Sequence, residues 1–166
     1  VDFGQMSGSG YLLSLMLMFV GGSSASTAGG VKINTLAIII MGMFAAFRGK
    51  NDVEASKKRI PQALVSQALA IFVSCLFLVL TSALAICAIE PPETSTAAIM
   101  FEAFSALGTV GLSMSITPTL SVPSKIIVMI LMYAGRVGIL TIGLAFAEKR
   151  TIENIRKPLD DTVIIG

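Results

Sequence analysis

Histidine and tryptophan are absent from this sequence, and charge is scarce, at 13% of 166 residues. Without histidine, imidazole-based metal sites and histidine acid–base catalysis are excluded within the chain. A soluble domain averages about a quarter charged residues. Here 54% of residues are hydrophobic and the mean hydropathy is +0.85, which places the chain in the membrane class. The net charge of +2 makes no case for nucleic acid. Cysteine is limited to Cys75 and Cys87, both inside an apolar run and at no zinc or redox spacing; they read as small buried or lipid-facing side chains. No signal peptide is expected, because no basic region stands ahead of an apolar core at the opening VDFGQM. The start at Val1 rather than methionine is read as a cut inside a longer protein.

What is present is a series of apolar segments of unequal length. Tyr11 to Val20 is about half as long as a span, which needs roughly 20 residues. It is followed by GGSSASTAGGVK over 21–32 and a second apolar stretch, Ile33 to Phe47. Together the two halves make one broken span, and irregular backbone at membrane depth is tolerated only where protein or a water-filled cavity satisfies it. The charged stretch 48–59, with five basic and two acidic residues, is expected as a cytoplasmic loop by the positive-inside rule. The outer helix is predicted over 60–89, 30 residues without a charge, with Pro61 near its first turn. EPPE at 90–93 breaks it on the opposite side, and Thr94 and Ser95 are good N-caps for the next segment. That segment, 95–107, is too short to span and is expected to be a re-entrant pore helix. Residues 117–123 carry two prolines and read as a loop; 124–148 is an inner helix with one interior charge, Arg136; 149–166 is a cytoplasmic tail.

The strip FSALGTVGLSM, 104–114, carries no charge and lies where a chain would turn in water. A re-entrant helix points its C-terminal carbonyls inward, which favours a cation. Rings of backbone carbonyls replace the hydration shell in potassium filters built on TVGYG loops. Thr109, Val110 and Gly111 supply TVG, after which Leu112 and Ser113 depart from that pattern. The strip 108–112 (Gly108, Thr109, Val110, Gly111, Leu112) is therefore read as one quarter of an ion filter, with potassium at the carbonyls of Thr109, Val110 and Gly111. The competing reading is an ordinary extracellular turn. Gly111 is required because a Cβ would obstruct either the backbone angle or the ion path.

Three segments, 21–32, 101–114 and MYAGRVGILTIGLAFA at 132–147, resemble the Trk/Ktr-type potassium transporters, a superfamily that also includes the plant high-affinity transporters. The terminal VIIG is similar to the Ktr branch. The resemblance implies an all-α integral membrane fold of four helix–re-entrant pore loop–helix repeats, potassium-channel-like. Residues 1–59 would hold the second helix of the third repeat and a cytoplasmic loop, and 60–148 the fourth repeat. A filter of single glycines without Tyr-Gly implies weaker discrimination, so that sodium passes. The resemblance also implies a homodimer with one pore per subunit, lipid as surroundings, a cytosolic nucleotide-binding ring as regulator, and a multi-pass position in a bacterial inner (plasma) membrane. No organic cofactor, no nucleic acid partner and no enzyme chemistry are expected.

The broken middle, Gly21, Gly22, Ser23, Ser24, Ala25, Ser26, Thr27, Ala28, Gly29 and Gly30, is not a Walker A loop, because Gly30-Val31-Lys32-Ile33 puts neither lysine nor hydroxyl in register. It reads as a kinked helix or, preferably, a flexible gate; the resemblance implies a loop that blocks the pore below the filter. Arg136, about 12 residues or roughly 18 Å from each end of the inner helix, is too deep to snorkel and must pair with carbonyls or an acid, or face the pore. Facing the pore, as the resemblance implies, it is part of the barrier, bonded to gate-loop carbonyls. Lys32 either snorkels or joins that barrier. Glu102, the single acid within an apolar segment, is expected to bond neighbouring backbone rather than tune the filter's potential. Ala134, Gly138, Gly143 and Ala147 give small-xxx-small spacing suited to helix contact. The function read from all this is monovalent cation uptake, with or without sodium dependence. The rivals are an ion-coupled secondary transporter of another solute, which would want titratable groups at the midplane, and a non-transporting membrane subunit.

Overall fold

The computed structural model describes residues 6–23, 26–48, 53–55 and 58–138, and only these are discussed. Helix α1 (Gly8–Phe19) starts where the Ser7 hydroxyl accepts the Gly10 N–H at 3.3 Å, an N-cap, and stops as Val20 turns extended. Helix α2 (Ile33–Phe47) follows the broken middle. Strands β1 (Val53–Ala55) and β2 (Lys58–Ile60) pair antiparallel, with Val53 opposite Ile60 and Ala55 opposite Lys58. The expected charged loop thus contains a short hairpin: charge indicates a side of the membrane, not a backbone conformation. Helix α3 (Gln62–Ile89) begins after Pro61 and ends at Glu90, which the following Pro91 confines to an extended φ/ψ of −80°/153°. Among the described residues it is the one helix long and apolar enough to cross a membrane.

Helix α4 (Thr96–Gly108) has Ser95 at its N-cap, and its last residue is Gly108, where the strip begins. Helix α5 (Val122–Val137) starts two residues earlier than expected, with Pro123 in its first turn, where a missing N–H costs nothing. It ends at Val137 because Gly138 takes φ +87°, outside the helical region. Arg136 therefore sits in the last turn of α5 and not at mid-helix. The expected helix beyond 138, with Gly143 and Ala147, and the tail 149–166 lie outside the described residues, as do Ser24 and Ala25.

Helix α4 is the centre. It packs on α1, α3 and α5, while α2 packs on α3 and β1. Nine of α4's 13 residues are buried; among the described residues, α2 buries none of its own. The main cluster joins Ile99, Ala103 and Leu107 of α4 to Val79, Ala83 and Ile86 of α3 and to Val128 and Leu131 of α5. A second cluster seats Phe101 against Leu15 and Met18 of α1, with Tyr11 stacked on the Phe101 ring at 6.1 Å. Large apolar side chains remain exposed around this centre, among them Leu13 and Met16 on α1, Phe77 and Leu84 on α3, and Met129 and Ile130 on α5. Such surface suits lipid or further protein rather than water.

Candidate ion-conduction site

The site forms where α4 ends. Thr109 adopts the left-handed conformation (φ 51°, ψ 38°); its N–H bonds the Ala106 carbonyl at 3.1 Å, and the Val110 N–H reaches the Ser105 carbonyl at 3.0 Å. This is a Schellman cap, usually made by glycine. A β-branched residue is unusual there, and the reason is visible in its side chain. Thr109 Oγ1 accepts the N–H of Gly29 at 3.0 Å, tying the end of α4 to the loop between α1 and α2. After it, φ is positive at Gly111 (+80°) and Ser115 (+64°), while Val110 and Leu112 stay on the ordinary side. Changes of φ sign between neighbours turn successive peptide planes, so carbonyls separated in sequence can face one axis.

The loop is anchored rather than loose. Val20 and Val31 form a parallel bridge, and the Gly21 N–H bonds the Val31 carbonyl at 2.7 Å. The Val31 N–H bonds the Phe19 carbonyl at 3.0 Å, and the Ile33 N–H bonds that of Gly22 at 3.2 Å. At its apex the Ser26 N–H returns to the Ser23 carbonyl at 2.8 Å, and the Ala28 N–H is accepted by Ser26 Oγ at 3.2 Å. Arg136 Nη1 donates to the Thr27 carbonyl from α5. The arginine and the loop expected beside it are thus in contact. Two of these glycines allow close backbone approach. A Cβ on Gly21 would lie 2.0 Å from the Gly29 carbonyl oxygen, and one on Gly30, whose φ is +74°, 3.0 Å from that of Phe19.

Close backbone approach continues around the end of α4. A Cβ on Gly29 would fall 2.7 Å from the Leu107 carbonyl oxygen, one on Gly135 only 2.0 Å from the same atom, and one on Gly108 2.5 Å from that of Met18. Below lies a cavity of about 210 Å³ lined by Lys32, Thr35, Cys75, Leu107 and Gly135, among others. Lys32 is the N-cap residue of α2 and lines this cavity with Leu107.

Glu102 departs from its expected role. It is 5% exposed, and its Oε1 accepts from the hydroxyls of Ser113 and, at 2.9 Å, Thr117. The partners are side chains of the returning limb rather than neighbouring backbone: α4 packs in the centre, and the limb folds back along it. A single acid in an apolar helix with two hydroxyls four residues apart downstream was the available signal. The Gly29–Thr109 bond has no such signal, since 80 residues separate the pair. Outside the apolar segments, Glu90 Oε1 accepts the Ser121 N–H at 2.9 Å and the Ser121 hydroxyl at 2.7 Å, joining α3 to the start of α5. The Ser124 and Ser121 hydroxyls, then the Ser121 amide, hold the Glu90 carboxyl below its ordinary value.

The profile of the TrkH cation transport protein family matches residues 1–155. The chain is 40% identical to the potassium/sodium uptake protein NtpJ of Enterococcus hirae, with all of this chain and 38% of that protein covered. It is 39% identical to Ktr system potassium uptake protein B of Bacillus subtilis, again over its full length and over 36% of the relative. Identity to Ktr system potassium uptake protein B of Vibrio alginolyticus is 34%, at the same coverage. The chain spans a little over a third of the length of these curated relatives.

Proposed function

The chain belongs to the TrkH family of cation transport proteins, and from that premise we propose that it supplies part of a potassium uptake pore. The family consists of transport proteins, and the chain is not an enzyme. Residues 108–112 act as one filter segment of a four-repeat pore, with the carbonyls of Thr109, Val110 and Gly111 replacing potassium's hydration shell. The loop 21–30 gates the path, and Arg136 with Lys32 forms the electrostatic barrier beside it. The observation that carries this reading is the pair of bonds on the loop: Gly29 N–H to Thr109 Oγ1 at one residue, Arg136 to the Thr27 carbonyl at another. One loop is thereby held both to the strip and to a fixed positive charge, and a positive charge beside a cation path raises the barrier to passage.

Sodium is a second permeant or coupling ion in this reading, in line with the name of the Enterococcus hirae relative, a potassium/sodium uptake protein. The complete protein is a multi-pass subunit of a bacterial inner membrane, a homodimer regulated by a cytosolic nucleotide-binding ring. A solute-coupled transporter is less well supported, because Glu102 is already engaged by two hydroxyls. The test is rubidium uptake by potassium-transport-deficient cells carrying the full-length parent protein, wild type against Gly111→Asp at equal membrane abundance. Loss of uptake is expected. Unchanged uptake makes 108–112 a turn and advances the non-transporting subunit.

A further inference from the structure

We propose that Glu102 is the positioning residue of the strip's outer limb, and that its hold on Ser113 and Thr117 sets the selection among monovalent cations. The inference rests on the reading of 108–112 as a filter. The strip has two anchors. At its entry the N–H groups of Thr109 and Val110 close the cap of α4. At its exit both hydroxyls converge on one oxygen, Oε1, of a carboxyl that is 5% exposed.

Between these anchors Leu112 rests against the Leu15–Met18–Phe101 cluster, but its neighbour Gly111 has no such support. Gly111 is exposed, and among the described residues no atom outside 110–112 lies within 4 Å of where its Cβ would stand. Behind it a cavity of about 370 Å³ is lined by Gly111, Leu112, Ser113, Thr117, Lys125 and Glu102 itself. Where the strip is backed by a void, at Gly111, its carbonyl positions depend on how its ends are held. A buried carboxyl is a stringent holder, because leaving it without donors is costly. Both hydroxyls meet the same oxygen, so one carboxyl fixes two points of the limb. Ser113 is itself held in place by the turn that follows it. Its Oγ accepts the Ser115 N–H at 3.0 Å, and Ser115 sits at φ +64°, closing the turn that brings Thr117 Oγ1 within 3.0 Å of Ser113 Oγ. The hydroxyl proton of Ser113 is then directed to Glu102.

A tie that served stability alone would change how much protein reaches the membrane and leave ion affinity as it was. The experiment therefore measures rubidium KM and inhibition by sodium, in the full-length parent protein in potassium-transport-deficient cells, normalised to membrane abundance. Ser113→Ala combined with Thr117→Val is expected to raise KM by about tenfold and to strengthen sodium inhibition by a similar factor, as loss of two hydrogen bonds to a buried acceptor implies. Glu102→Gln, which keeps an acceptor oxygen, should shift both by no more than about threefold. Wild-type KM and sodium inhibition in the double variant overturn the proposal, whatever happens to maximal rate or abundance. If the double variant does not reach the membrane, the two single variants decide, with KM raised about threefold expected and wild-type KM overturning. Gly111→Asp is run in parallel. If it spares uptake, the filter reading and this inference fall together. If it abolishes uptake while the hydroxyl variants behave as wild type, only this inference falls.

Discussion

Gly21, Gly29 and Gly30 of the loop between α1 and α2 are pressed against backbone, whereas Gly111 stands in the open. For Gly21, Gly29 and, across the interface, Gly135, an added Cβ would lie 2.0 to 2.7 Å from a carbonyl oxygen. No flexible side chain is available to yield at those places. For Gly111 the space is empty, and the requirement comes from φ +80° alone. The same residue type answers two different demands. One is closeness between elements distant in sequence; the other is a backbone angle that L side chains disfavour. Substitution separates them.

The largest effect is expected at Gly135→Ala. Its methyl would meet the Leu107 carbonyl oxygen at 2.0 Å, forcing α5 away from α4 along their main contact. Overpacking of this kind costs about 1–3 kcal/mol or more, and thermal melting in detergent should show loss of the folded protein. Normal melting would mean that the two helices separate freely. Next come the contacts on the loop. Thr109→Val strands the N–H of buried Gly29, a loss of about 1–3 kcal/mol, and Arg136→Ala removes the donor to Thr27. Both should raise rubidium flux through a less firmly held gate, and Thr109→Ser should restore it; flux unchanged in all three would detach the loop from gating.

Gly111→Ala comes third. With no clash, it costs about 1–2 kcal/mol for the left-handed angle, so the protein should fold while rubidium KM rises. A melting temperature lowered as far as in Gly135→Ala would show that Gly111 also serves packing. The smallest effect is at Glu90, away from both glycine sets. Its carboxyl is held below the ordinary value, so the tie to Ser121 is fully present above the unfolded-state value of about 4.3 and is lost as pH falls through the lower folded value. Melting temperature measured from pH 7 down to 3 should drop at the acid end in wild type and respond less in Glu90→Gln.

Much of this organisation is legible from one dimension. The short apolar run with a TVG end announces α4 and the strip, because length and glycine placement are local properties. Pro61 and Pro91–Pro92 bound α3 for the same reason. Arg136 is recognisable as a residue that must find oxygen, since a charge in an apolar helix cannot stay unpartnered. Its depth is not legible, because a single φ at Gly138 ends the helix, and nothing in an apolar sequence marks that glycine from Gly135 three residues before. The hairpin at 53–60 is hidden by charge.

Local chemistry, then, determined which segments are helices, that position 111 needs a glycine and which polar groups require partners. Tertiary structure alone decided who those partners are. Thr109 meets Gly29, Glu102 meets Ser113 and Thr117, Arg136 meets Thr27, and Leu107 is flanked by Gly29 and Gly135. Hydrogen bonds and close contacts act over about 3 Å, and which atoms come within that distance is set by how α1, α4 and α5 pack, a relation between segments that no one of them carries.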